Sequence, residues 1–173
     1  ERFTATDRLI LGICNGFQGL VKSGLLPFGT IRERQEDHPT LAANDCAHHA
    51  ATLVRTRIRS TRSPWLQDLD HSLTYTLPVS HGEGKFVADE SQLAYLIAHD
   101  LIATTYLDNP NGSTLDIEGI VSPDGNILGK MAHNERSSDS LFINVPGIRS
   151  QDIFASGIRY FTHKGEEHHE TAL

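Results

Sequence analysis

In this 173-residue chain the stretch ILGICNGF ends an apolar run on a cysteine and follows it at once with Asn-Gly. Leu9, Ile10, Leu11 and Ile13 read as a strand buried on both faces and broken only by Gly12. Phe17, Leu20 and Val21 recur at helical spacing, and Gly24 is placed to end that helix. The link between them has almost no length, so the Cys14 side chain is pushed out at the carboxyl edge of a sheet. This is the layout of a nucleophile elbow, with G-x-C-x-G in place of G-x-S-x-G. Gly12 and Gly16 are read as removing side chains that would clash in so sharp a bend.

A thiol nucleophile needs a base and a group that orients the base. MAHNER supplies His133 and Glu135, an i, i+2 pair that shares one face of an extended chain. Glu135 would then hold the imidazole in one tautomer and stabilise it when protonated. The helix N-terminus and His133 are both expected to favour the Cys14 thiolate.

The elements that must position these groups form one domain of mixed strands and helices. The polar stretch 30–49 reads as loop or short turns. TLVRTRIRS alternates, with Val54, Thr56 and Ile58 on one face and Arg55, Arg57 and Arg59 on the other. SPWL is a turn with an anchoring tryptophan. SLTYTLPVSHGEG alternates again and runs into Gly82 and Gly84. Asp89 caps a helix carrying Leu93, Leu96 and Ile97, LIATTYL is a further strand, and Asp124-Gly125 joins two strands in a hairpin. In the last element Ile153, Phe154, Gly157, Ile158 and Phe161 fall on one helical face, and residues 163–173 form a flexible tail after a domain spanning 1–162.

A net charge of −7 argues against nucleic acid as a partner. The sequence has no apolar run of transmembrane length, so no membrane partner is expected. Two cysteines make no secreted disulfide framework, and a reducing cytoplasm suits a working thiol. Neither Cys46, His48 and His49 nor the histidines of the tail have the paired spacing of a metal site, so no metal is expected.

The blocks LGICNGFQ, GLLP, PVSHGEG, NPNG, IEGI, GNILGKMAHNER and NVPG occur in the order found in a known family. Across Leu9 to Phe161 the sequence resembles the glutaminase domain of phosphoribosylformylglycinamidine synthase, a class I glutamine amidotransferase domain. NVPG followed by IFASGIRYF resembles the single-polypeptide form, in which this domain is C-terminal. The resemblance implies a three-layer α/β, flavodoxin-like fold. It implies glutamine hydrolysis through a thioester on Cys14, with His133 and Glu135 completing the catalytic set and the Asn15 N–H in the oxyanion hole. Gln18, Ser80, Gly82 and Glu83 are the glutamine-binding residues by the same resemblance. Ammonia would pass to a synthetase domain, of the same or a partner chain, that holds ATP and Mg; no cofactor is implied in this domain. The N-terminal strands and a glycine-rich loop carrying the second oxyanion donor are expected to lie outside this sequence. The residues alone leave two other readings open: a cysteine hydrolase of related fold acting on another amide, and a non-catalytic docking module. His81 reads as a packed or solvent-facing histidine, and the Arg55, Arg57, Arg59 face as solvated or covered by another domain.

Overall fold

The computed structural model describes residues 6, 8–137, 141–145 and 150–170, the last eight of these by backbone alone. Strand β1 (Ile10–Ile13) leads directly into helix α1 (Asn15–Lys22), and a single kinked turn, α2 (Leu25–Phe28), follows. Then come β2 (Thr40–Ala43), β3 (Ala50–Ile58), β4 (Tyr75–His81) and β5 (Glu83–Val87). Helix α3 (Glu90–Ala98) precedes β6 (Ile102–Tyr106), and the hairpin strands β7 (Ile117–Val121) and β8 (Ile127–Lys130) come next. Helix α4 (Ile153–Glu170) is the last element.

Six strands form one sheet in the order β1-β8-β7-β6-β3-β4, while β2 and β5 form a separate antiparallel pair. The β1–β8 pair is parallel, with Ile10 opposite Ile127 and Ile13 opposite Lys130. The other pairs of the large sheet are antiparallel. The β7–β8 hairpin turns at Asp124-Gly125, where Gly125 has φ 80°. Phe17 of α1 stacks on Phe86 of β5, 6.4 Å between ring centroids, in a core shared with Leu26, Ile120, Ile127 and Leu128.

Several expectations change in three dimensions. The stretch 30–49 contains β2, whose Leu41 is buried opposite Phe86; its short run of Thr-Leu-Ala-Ala becomes a strand because β5 offers it an edge. Strand β1 is half-buried rather than enclosed, because it lies at the sheet edge and pairs with β8 alone among the described residues. Trp65 anchors that edge: its indole N–H donates to the Ile10 carbonyl at 3.1 Å. On α4 the packed face is Ile153, Ser156 and Gly157, whereas Phe154, Ile158 and Phe161 are exposed. The helix turns toward the Trp65 loop through Ser156, which donates to the Pro64 carbonyl at 2.7 Å. Ile97 is likewise exposed, since α3 buries only Leu96. Helix α4 continues to Glu170, into the expected tail, and 171–173 lie outside the described residues. The cationic face of β3 is as expected: Arg55 and Arg57 point outward while Val54, Thr56 and Ile58 are buried. Arg55 pairs with Asp108 at 2.7 Å, both exposed.

Only one of the two elbow glycines is needed for space. A Cβ on Gly12 would lie 2.5 Å from Leu20 Cδ1 and 2.8 Å from the Gly16 backbone, whereas one on Gly16 meets nothing within 4 Å. Gly12 therefore lets α1 lie directly on β1. Gly12→Ala should destabilise the fold by about 1–3 kcal/mol through overpacking. Gly16→Ala should be neutral or stabilise by up to about 1 kcal/mol, the usual helix preference for alanine. Urea-unfolding midpoints of the two variants check the difference.

Candidate active site

Cys14 joins β1 to α1 with φ 52° and ψ −107°. A non-glycine residue keeps a positive φ only where its surroundings enforce it. Here the sheet holds one end and the helix the other: the Cys14 N–H donates to the Lys130 carbonyl at 2.8 Å, and its carbonyl accepts from the Gln18 N–H at 3.1 Å. The thiol points across the sheet and donates weakly to the Ser80 carbonyl at 3.8 Å. His133 is tied to the same strand, its N–H donating to the Pro78 carbonyl at 2.8 Å. Carbonyls two residues apart on β4 thus bring the Cys14 thiol and the His133 backbone to one place.

His133 Nδ1 meets Glu135 Oε1 at 2.5 Å, and Arg136 Nε lies 3.5 Å from the same oxygen. The two residues meet by a different route from the extended pairing expected. Strand β8 ends at Lys130, and Asn134–Arg136 form a 3-10 turn that brings Glu135 back beside His133. His133 Nε2 is buried and without a hydrogen-bond partner among the described residues. The carboxylate on Nδ1 fixes the tautomer, so Nε2 is the nitrogen left to exchange a proton.

Burial pushes the Cys14 thiol pKa up; the Asn15 backbone N–H and the Arg136 guanidinium pull it down by less, and Glu135 adds to the rise. The shift runs opposite to the one expected from the helix N-terminus. The half-buried sulfur loses more hydration than the first N–H of α1 returns. A half-buried thiol of this kind calls for a proton acceptor, and His133, fastened to the same strand β4, carries the candidate Nε2.

The remaining candidates gather at the β4–β5 corner. The Gln18 side chain donates from α1 to the Glu83 carbonyl. Ser80 Oγ meets His49 Nε2 at 3.0 Å, and the Gly82 carbonyl accepts from the Asn44 N–H at 3.0 Å. His81 is packed, its Nδ1 3.1 Å from Asn44 Oδ1. Burial pushes its pKa down, and His49 and His133 push the same way. Asn44 also donates through Nδ2 to the carbonyls of His81 and His48 at 2.8 and 3.2 Å. It is a buried organiser of this corner that the sequence pattern does not single out, because it lies in the stretch read as loop. Glu118 and Lys130 are also missed; the signal was a charge inside each of two apolar hairpin strands.

Cys46 is exposed, its thiol donating to the His48 carbonyl at 3.4 Å, the same carbonyl that accepts from Asn44. Among the described residues there is no group of three His, Cys, Asp or Glu side chains that could hold a metal, and no helix long and apolar enough to cross a membrane. A cavity of about 630 Å³ lined by Arg57, Arg59, Leu96, Ile97 and Leu115 contains none of the candidate site residues.

A positive-φ cysteine between strand and helix, with a histidine–carboxylate pair on the neighbouring strand's extension, is an arrangement suited to a thiol nucleophile and its base. The chain belongs to the family of the CobB/CobQ-like glutamine amidotransferase domain, whose family model matches residues 1–163. It is 38% identical over 148 residues to the PurQ subunit of phosphoribosylformylglycinamidine synthase from Prochlorococcus marinus, covering 86% of this chain and 62% of that one. The PurQ subunit from Nostoc is 39% identical over 143 residues, covering 82% and 59%. Among solved structures, PurLQS from Thermotoga maritima superposes with a TM-score of 0.69 at 26% identity, over 88% of this chain and 62% of that one. The chain thus spans about three fifths of the length of these curated relatives.

Alkylation of Cys14 by iodoacetamide, followed by peptide mapping across pH, measures which influence on the thiol dominates. The midpoint in the folded protein should lie above that of the same cysteine in urea, because burial is the largest influence. A lower folded midpoint would mean that the helix N-terminus and His133 outweigh burial.

Proposed function

We propose that this domain is the glutaminase of a phosphoribosylformylglycinamidine synthase. The observation that carries the reading is the positive-φ Cys14 and the His133–Glu135 pair, both fastened to β4. Its family and its PurQ relatives supply the substrate class.

In this reading His133 Nε2 takes the Cys14 proton, and Sγ attacks the side-chain amide carbon of glutamine. The oxyanion is met by the Asn15 N–H, the first of α1. The C–N bond breaks as His133 returns the proton to the departing ammonia, leaving a glutamyl thioester on Cys14. Water, deprotonated by His133, cleaves the thioester and releases glutamate. Glu135 orients the imidazole and stabilises it when charged, and is not itself protonated. Gln18, Ser80, Gly82 and Glu83 bind glutamine. The corner carries backbone groups of both signs close to the thiol, which suits the amino and carboxylate groups of an amino acid. Ammonia passes to an ATP- and Mg-dependent synthetase domain, which converts formylglycinamide ribonucleotide to the amidine in the cytoplasm. The stretch NVPG followed by IFASGIRYF favours the single-polypeptide form, with residues 1–162 as the glutaminase unit.

In the complete enzyme Cys14→Ala should abolish glutamine-dependent synthesis and leave ammonia-dependent synthesis close to wild type, since the thiol serves only to release ammonia. Loss of both activities in a folded variant would remove Cys14 from this role. Glu135→Gln should lose less than Cys14→Ala, because an amide oxygen still orients Nδ1 while the charge is gone. Assays with glutamine and with ammonium as nitrogen source separate the outcomes.

A further inference from the structure

Behind His133 lies a buried ion pair that the proposed mechanism does not use. Glu118 on β7 and Lys130 on β8 have completely buried side chains, with Lys130 Nζ 3.6 Å from Glu118 Oε1. Each reaches a residue flanking His133. Glu118 Oε1 accepts from the Ala132 N–H at 2.7 Å. Lys130 Nζ donates to Asn134 Oδ1 at 2.5 Å and to Gln151 Oε1 at 3.1 Å. Asn134 Nδ2 in turn donates to the Gln151 carbonyl at 2.7 Å. The other carboxylate oxygen of Glu118 accepts from the Thr104 hydroxyl. Gly119 makes room for the cluster: a Cβ there would lie 2.7 Å from Thr104 Oγ1 and 2.9 Å from Lys130 Cβ. The Lys130 carbonyl also takes the Cys14 N–H, so one residue touches both sides of the site.

We propose that Glu118 and Lys130 are positioning residues that set the His133 imidazole relative to Cys14, by clamping the backbone before it and the Asn134 side chain after it. The inference rests on the glutaminase reading for the identity of the reaction, and on the bond pattern alone for the clamp.

Stability does not account for such a pair. Two buried charges cost several kcal/mol of hydration each, and well-packed apolar residues in their place are often neutral or stabilising. Apolar side chains would, however, leave the Ala132 N–H and the Asn134 amide without these partners. Position is what the pair supplies. His133 follows the last residue of β8 by only three places, and its ring must face a thiol fastened to a different strand. A displacement on the order of 1 Å between base and nucleophile costs about a hundredfold in rate.

The test uses the full-length protein with Lys130→Met, Glu118→Leu, Glu118→Gln and the double variant Glu118→Met/Lys130→Met. Glutamine hydrolysis, Cys14 alkylation by iodoacetamide and melting temperature are measured on each, with His133→Ala as reference. We expect kcat to fall about 10- to 100-fold in Lys130→Met and Glu118→Leu, with KM changed by less than about threefold. Glu118→Gln keeps an oxygen for the Ala132 N–H and should lie between these and wild type. The double variant, free of an unpaired buried charge, should melt at or above the single variants yet keep their low kcat. Alkylation should slow toward the His133→Ala rate in the same order. If the double variant recovers kcat together with melting temperature, the pair is only structural and the proposal falls. It falls equally if the variants that fold keep wild-type kcat and alkylation rates. Should wild type show His133-dependent alkylation without hydrolysing glutamine, the glutaminase reading fails and the alkylation series alone decides the clamp.

Discussion

The structure depends on one local constraint: strand β1 must become helix α1 without a loop, and Cys14 absorbs the whole change of direction. Its positive φ is the result. A residue held in such a region costs on the order of 1–3 kcal/mol, so the surroundings must over-determine it. They do so from two sides. The sheet takes the Cys14 N–H through Lys130, and the helix takes its carbonyl through Gln18. The absence of a side chain at Gly12 lets the helix press on the strand at the bend itself. The consequence is a fixed point of departure for the Cys14 side chain at the bend.

The same sheet delivers the partner groups. The parallel pairing of β1 with β8 sets Ile13 opposite Lys130, so the chain leaving β8 emerges beside the elbow. A short 3-10 turn then suffices to place a carboxylate on the histidine ring. Strand β4 lies at the far edge of the sheet order, yet its end reaches both Cys14 and His133. That closure reflects the curl of a strongly twisted sheet. Where the curl leaves the interior polar, side chains rather than ladders satisfy it, and Glu118, Lys130, Asn134 and Gln151 form one connected network.

The edge at β1 and the face of β3 differ in character. At β1 the Trp65 indole donates to the Ile10 carbonyl, and Gly157 of α4 lies against that indole in turn. On β3 the outward side is cationic, and Arg57, with Arg59 just beyond the strand, lines a cavity of mixed character that also holds Leu96, Asp100 and Asp116.

The sequence by itself determined the elbow, the strand alternation of β3 and β4, the hairpin at Asp124-Gly125 and the cap at Asp89. These follow from neighbouring residues: periodicity, turn chemistry and a single side chain bonding its own helix. It also pointed to His133 and Glu135, though the turn that joins them was not written in their spacing. Only the tertiary structure decided which apolar residues of α3 and α4 are buried, because a helical face packs only where another element covers it; Ile97 and Ile158 stay largely exposed. Only it revealed β2, a short strand whose partner arrives more than forty residues later. The sign of the Cys14 shift was likewise invisible in sequence, since it is set by the water that distant elements exclude from the sulfur. The Glu118–Lys130 pair belongs to the same class. Each residue alone is an oddity in an apolar strand, and hairpin register joins their charges around the backbone that carries His133.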